Sequence, residues 1–471
     1  MAFDLLLKNG LLIDPKHGIL RQMDVAVEDG SVAEVAPSIA STAGRKVIDL
    51  AGKAVMPGLI DTHVHVSRML GGYRGFAMLA RAGVTTAVDC AGPLDKVLEG
   101  FEMGGAGINV AVLNSSQPGH TISGNDPGRD EIARKVARDL DEGAFGIKLM
   151  GGHYPMTPEA TAGFIAEANR QRCYVAYHAG TTRHGSNFHG FQEAVELAGN
   201  NSMHLAHINA YCRGVATGDP IAETLSAVAA LEGKGNIISE FHMATVNGTS
   251  GRCVGGVPES HVTRTCLRTG GFAQTEAGLR AAFLAGYAHV AAEGPDGSNV
   301  LLVGEDGLRY WSERQDESTV GFPVNNRTVA FLCAGARRKD GDFVISALST
   351  DGGGIPRNFL LRFGLLVVEY GLWTLPEFVK QTSWRPSQML GLPRKGHLGV
   401  GADADITVAD LTRREAAMTV VGGRIVMSGG AVTGSGGTII CNERGVAALE
   451  RRGVPYQVGD MSRSLLYAGR S

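Results

Sequence analysis

The segment PGLIDTHVHVS places His63 and His65 two residues apart at the end of an apolar run. Residues i and i+2 of a β-strand face the same side, so two imidazoles placed this way can chelate one metal together. The pair alone is thin ground, because a chain with 14 histidines has many that are solvated or hydrogen-bonded. The downstream spacing adds weight. Lys148 ends GAFGIKLM, 85 residues after His63, or three intervals of about 28. His178 ends CYVAYH 30 residues later, and His207 ends MHLAHIN after another 29. A βα unit of an eight-stranded barrel averages ~31 residues, so polar residues recur once per unit, at strand ends. In this register His63 lies on strand 1, Lys148 on strand 4, His178 on strand 5 and His207 on strand 6. NIISEFHMA supplies strand 7, and Asp351, after FVISALST, closes strand 8. Such positions converge on the carboxyl-end mouth of a barrel. Lysine stands alone in the apolar run FGIKLM, which argues against a surface ion-pair partner.

The elements that would position these residues are legible in outline. VTTAVDC, FGIKLM, CYVAYHAG, SMHLAHINA and NIISEFHMA read as apolar strands, alternating with the helical stretches PGRDEIARKVARDLDEG and TPEATAGFIAEANRQR. In the first helix Ile132, Val136 and Leu140 form one apolar stripe, and the intervening Arg, Lys and Asp are expected to face water. In the second, Thr157 precedes Pro158 and Glu159, a cap followed by proline in the first turn. Strands alternating with helices predict an α/β fold, a (β/α)₈ TIM-like barrel. Residues 1–57 and 395–440 have a different, period-two texture bounded by Gly, Asp and Asn. They predict a small β-sandwich domain built from both chain ends, flanking a barrel over 58–394 and succeeded by a C-terminal extension, 441–471. The extension reads as a helix plus a loosely packed tail. The distance from strand 7 to Asp351 far exceeds one βα unit, so an insertion is expected at about 245–340, placed to act as a lid, a specificity element or an oligomer contact.

Composition narrows the function classes. Lys+Arg 44 against Asp+Glu 47 leaves a net charge of −3, with no basic surplus for phosphates or anionic lipid. Neither nucleic acid nor membrane is an expected partner. No run reaches the ~18 apolar residues needed to cross a bilayer. Seven scattered cysteines without a CxxC pair suit reduced thiols, and a cytoplasmic location is expected.

Taken jointly, HxH after PGLID, a strand-4 lysine, histidines on strands 5 and 6 and a strand-8 aspartate resemble the amidohydrolase superfamily, in its branch of dihydroorotases, hydantoinases and D-aminoacylases. The resemblance covers nearly the whole chain, since PSQMLGLPRKGHLGVGADADITVAD is similar to that family's return into its β domain. It implies two divalent metal ions, with zinc the expected metal although Mn, Co or Fe would suit the same donors. His63, His65 and Asp351 would hold one, and His178 and His207 the other. Lys148, carbamylated by CO₂, would bridge them, because an ammonium has no lone pair for a metal and a carbamate offers two anionic oxygens. Such a pair activates a water and polarises a carbonyl. The implied reaction is hydrolysis of a small C–N amide, of an N-acyl amino acid or a cyclic amide, with Asp351 as general acid and base.

Several assignments stay open. His204, three residues before His207, is expected on the opposite side of its strand. Cys90 ends strand 2, where some deacylases of the superfamily place a metal ligand; with Lys148 present it reads as a packed residue near the mouth. His153 and Tyr154 come just after strand 4, and Asn209, Tyr211 and Arg213 just after strand 6. Each could polarise a carbonyl or grip a carboxylate, and each could equally be a solvated loop residue. Arg357 is a further candidate. GSNFHGFQEAVELAGNNSMHLAHIN resembles D-aminoacylases, while the lysine resembles dihydroorotase and hydantoinase. MHLAHIN and that lysine also resemble the formyl-handling subunit of formylmethanofuran dehydrogenase, a formyl-transferring alternative. A scaffold that has lost activity would lack ligands, and here the set is complete. The expected partners are a small-molecule amide and other copies of the same chain.

Overall fold

A computed structural model describes residues 2–67, 72–314 and 318–468. Residues 315–317 of the expected insertion and 469–471 of the expected extension lie outside the described residues. Eight strands form the central sheet: β1 (Leu59–His65), β2 (Val84–Asp89), β3 (Asn109–Ser116), β4 (Gly146–Leu149), β5 (Tyr174–Tyr177), β6 (Met203–Leu205), β7 (Ile237–His242) and β8 (Ala347–Ser349). Each pairs in parallel with the next. Gly352–Gly353, just after β8, pairs in parallel with Val64–His65 and closes the ring. The fold is a (β/α)₈ barrel, as the spacing of polar strand ends requires.

Alternation divides each strand between two cores. Val110, Val112, Ile147 and Val175 face outward into a layer shared with the helices, among them α1 (Arg129–Glu142) and α2 (Pro158–Arg170). Val88, Leu113, Tyr174, Ala176 and Ile238 fill the lumen below the mouth. Helix α1 buries Ile132, Val136 and Leu140 as its period predicts, and ends at Gly143 in the left-handed region, φ +113°. The expectation that its charged residues all face water fails for Lys135 and Asp139. Both are buried and form an ion pair one helical turn apart, which lets two charged side chains cross a packed interface together. Thr157 caps α2, its hydroxyl oxygen accepting from the Ala160 amide at 3.1 Å.

Both chain ends build one continuous nine-stranded sheet outside the barrel. They join where Ala54–Pro57 pairs antiparallel with Ile406–Asp410, over a core that includes Leu5, Val25, Val55 and Val408. The strand Thr438–Cys441 does not belong to this sheet; it pairs in parallel with β3. The chain beyond Cys441 is packed, contrary to the loose tail expected. Met461, Leu466 and Tyr467 are buried in the same cluster as the lumen residues Phe145 and Tyr174, and the Tyr467 hydroxyl donates to the Cys173 carbonyl at 2.6 Å. The tail therefore plugs the end of the barrel opposite the mouth. The sequence missed this because Leu465, Leu466 and Tyr467 form too short an apolar run to mark an element.

Between β7 and β8 the chain leaves the barrel. Thr249–Ser250, His289–Glu293, Asn299–Leu302 and Thr319–Gly321 form a four-stranded sheet. It packs with α3 (His261–Thr269) and two further helices around Val262, Leu267, Phe283, Trp311 and Phe322. This insertion has its own core. The helix Arg327–Gly335 returns to the barrel layer through Val329, Cys333 and Ala334.

Candidate metal centre

Chain irregularities at the strand ends aim the site residues. On β1 the register shifts between Asp61 and Val64, a bulge that changes the phase of the strand. Ile60 faces the lumen, and so, three residues later, does His63. On β6 the strand stops at Leu205 and His207 adopts φ +26°, which swings its ring inward. Asp351 lies in the left-handed region at φ +52°, between β8 and the closing pair Gly352–Gly353. Uncommon backbone at three strand ends is the kind of local cost that clusters at functional sites.

The result is a cavity of about 120 Å³ at the mouth, lined by His63, His65, Lys148, His178, His207 and Asp351. All six expected ligands share it. One donor atom each from His63, His207 and Asp351 lies within 4.8 Å of the others. Asp351 Oδ1 is 2.9 Å from His65 Nε2 and 3.5 Å from His63 Nε2. His178 Nδ1 is 3.1 Å from His207 Nε2, and His178 Nε2 is 2.7 Å from the Ser186 hydroxyl.

Buried polar atoms without partners test whether these residues suit a metal pair. Lys148 is 2% exposed and its Nζ has no hydrogen-bond partner among the described residues; His65 Nδ1 and His207 Nδ1 are likewise unpaired. Unpaired buried groups are costly, and an amine left bare among four imidazoles needs a further ligand or modification. The donor set of imidazoles, one carboxylate and a potential carbamate suits divalent cations. The residues fit.

The electrostatics agree. Burial, then the neighbouring Lys148, lowers His63 below its ordinary value. Burial and the adjacent His153 push His178 well below, and burial with His178 does the same to His207, so the imidazoles are held neutral with lone pairs available. Burial alone would raise Asp351. The Arg357 guanidinium and His63 outweigh it and hold the carboxyl well below the usual range. Arg357 Nη2 lies 2.5 Å from Asp351 Oδ2, and its Nη1 donates to the Val246 carbonyl at 2.7 Å.

Sequence reasoning missed two residues, Glu240 and His242 on β7. Glu240 is fully buried; its Oε1 accepts from His63 Nδ1 at 2.7 Å and from the His207 amide at 2.8 Å. Burial raises this carboxyl, but the adjacent His63 ring and the hydrogen bond it donates outweigh burial and bring it to about 2. The expected opposite placement of His204 is also corrected. His204 faces the lumen one layer below, 3.6 Å from the same Glu240 oxygen and 3.1 Å from the Tyr174 hydroxyl, because the turn after Leu205 lets His207 reach the same side. His242 lines the cavity, with burial and Arg357 lowering it to about 3. An EFH pattern at a strand end carries the same alternation signal as HVH.

The candidate substrate residues divide. His153, Tyr154 and Arg213 line the cavity. Burial lowers His153 to about 3, and its ring packs edge-on against His178 at 4.5 Å. The Tyr154 hydroxyl donates to Glu259 of the insertion at 3.3 Å. Asn209 and Tyr211 do not line it. Asn209 Oδ1 accepts from the His242 amide at 3.0 Å, and the Tyr211 hydroxyl accepts from the Ala179 amide at 2.9 Å. Both serve backbone groups freed where β5 and β7 end. Cys90 is buried at the cavity wall, its Sγ 3.9 Å from the Thr62 carbonyl.

The barrel thus gathers six candidate ligands at its strand ends. Residues 312–426, which include β8 and Asp351, match the amidohydrolase family model. A dihydroorotase of Trichlorobacter lovleyi is 51% identical over 63 residues, 13% of this chain and only 15% of that protein's length. A dihydroorotase of Pelobacter propionicus is 25% identical over 425 residues, 87% of this chain and 90% of that one. Among solved structures, the N-acyl-D-glutamate deacylase of Bordetella bronchiseptica, complexed with zinc and a phosphonate inhibitor, superposes with a TM-score of 0.66 at 17% identity. That likeness of fold covers 93% of this chain and 99% of the deacylase. Among the described residues no helix is long and apolar enough to cross a membrane.

Proposed function

We propose that the protein hydrolyses a small C–N amide, of an N-acyl amino acid or a cyclic amide, at this centre. One observation carries the reading: the bare, buried Lys148 amine beside four imidazoles and Asp351. The amidohydrolase match and the dihydroorotase and deacylase relatives support it. His63, His65 and Asp351 would hold one divalent cation and His178 and His207 another, with carbamylated Lys148 between them and zinc as the metal. Bound there, the cations supply Lewis acidity, acidifying water and polarising the amide carbonyl.

The chain's own residues do the rest. Glu240 fixes the His63 ring by accepting a hydrogen bond from Nδ1, which leaves the Nε2 lone pair facing the cavity. Arg357 keeps Asp351 ionised, the state that accepts a proton. As water adds to the carbonyl carbon, Asp351 takes its proton; as the C–N bond breaks, Asp351 returns that proton to the leaving nitrogen. Arg213, His153 and Tyr154 border the space left for the substrate. The insertion contributes Thr249, Arg252 and Glu259 to the cavity wall. Turnover of a panel of acetylated amino acids and five- and six-membered cyclic amides by the metal-loaded chain tests the reading. Hydrolysis of at least one class is expected; a fully metallated chain inert to all of them would contradict it.

A further inference from the structure

A second cavity, of about 230 Å³, adjoins the metal centre. The two share Ser186, Arg213 and Val262 as walls, so the second opens beside His178, which Ser186 contacts. Its remaining lining is neutral at Gly152, Pro155, Thr181, Gly185 and Gln274 and basic along one helix. Helix α3 contributes His261, Arg264, Thr265 and Arg268, a spacing that puts all four on one face. Among the described residues no carboxylate lines this space.

Arg213 stands at the junction. Its Nε and Nη2 donate to Asn325 Oδ1 at 3.1 and 2.8 Å, so a neutral amide orients the guanidinium without neutralising it. Among the described residues no carboxylate reaches salt-bridge distance of Arg213, Arg264 or Arg268. Elsewhere arginines are matched: Arg337, Arg385 and Arg444 each pair with an acid. Burial holds Arg213 below its ordinary value, as expected for a cation short of a counter-charge.

We propose that this basic annex is a substrate subsite, in which Arg213 and the α3 arginines receive a carboxylate carried by the part of the substrate remote from the scissile amide. The proposal deepens the amide-hydrolysis reading and rests on it. Placement on the insertion gives it a physical logic. The barrel supplies the ligands, while α3 belongs to a segment with a separate core that can change charge without disturbing them. Arg264 and Arg268 are partly or largely exposed, so the annex is open to solvent at its far side and admits a side chain rather than enclosing it. Amides with a second carboxylate are then preferred over amides of the same length that are neutral there.

Two measurements on the full chain test this. Calorimetric titration with glutarate should show binding that weakens as salt is raised and falls about tenfold in the double variant Arg264→Gln/Arg268→Gln, while the neutral diamide of glutarate binds far more weakly than glutarate itself. Equal binding of the diamide, insensitivity to salt, or parent-like affinity in the double variant would overturn the subsite. Tighter binding of inorganic phosphate than of glutarate would overturn its assignment to carboxylates. In the kinetic arm, the ratio of kcat/KM for N-acetylaspartate over N-acetylalanine should drop about tenfold in the double variant, and an unchanged ratio would count against the proposal. If the metal-loaded parent turns over no acetylated amino acid or cyclic amide, the amide reading has failed; the glutarate titration still decides the annex.

Discussion

Replacing Glu240 probes how a side chain that touches no substrate sets the metal affinity. Its Oε1 accepts both from the His63 ring at 2.7 Å and from the His207 amide at 2.8 Å, so one carboxylate orients two proposed ligands from strands on different sides of the mouth. Removing such an orienting partner costs about 10- to 100-fold in metal affinity, which is ~1.4–2.7 kcal/mol. Glu240→Gln keeps an acceptor in place but loses the charge, and a loss of about tenfold is expected. Glu240→Ala also frees the His63 ring to rotate and leaves Nδ1 unpaired, which takes the loss toward a hundredfold. Affinity is read by competition against a chromophoric chelator at fixed pH, with thermal unfolding of the metal-free chains recorded alongside. If both variants stay folded and bind metal as tightly as the parent, the orienting role of Glu240 is refuted.

Two further outcomes concern stability. Asp342 precedes β8 and is paired with Lys380 and Arg385; burial would raise its carboxyl, but these two bonds hold it well below its ordinary value. A depressed folded pKa stabilises the fold above the unfolded value of ~3.9 and is lost as pH falls through the folded one, so Asp342→Asn should cost about 1–2 kcal/mol at pH 7 and less at pH 3. Urea unfolding at both values checks this, and a pH-independent cost would contradict it. Leu466 in the barrel plug is 1% exposed, so Leu466→Ala should cost about 2–4 kcal/mol in urea unfolding. A surface-like cost below ~0.5 kcal/mol would show that the plug is not part of the core.

The barrel and its six candidate ligands were legible because one polar residue per βα unit, at the end of an apolar strand, is a local signal repeated along the chain. His63, Lys148, His178, His207 and Asp351 each stand out from apolar neighbours in sequence. Glu240 carried the same signal, two residues before His242, but NIISEFHMA reads as an apolar strand and singles out neither residue. Asn209 and Tyr211 misled for the opposite reason. Their types suit substrate binding, and only the tertiary fold shows that backbone amides at His242 and Ala179 claim them. His204 was misplaced because strict alternation was carried past Leu205, where the strand ends. The barrel plug and the annex depend on contacts between distant segments, Tyr467 with Cys173 and Arg213 with α3, and no local pattern encodes them.

Metal content tests the central claim most directly. Purified parent protein and Lys148→Ala, both freed of loosely bound ions, are compared by elemental analysis. Close to two divalent ions per chain in the parent and a marked loss in the variant are expected, since the amine that would carry the bridging carbamate is gone. Equal metal content in the two proteins would remove Lys148 from the centre, and a parent that binds no divalent ion would contradict the account as a whole.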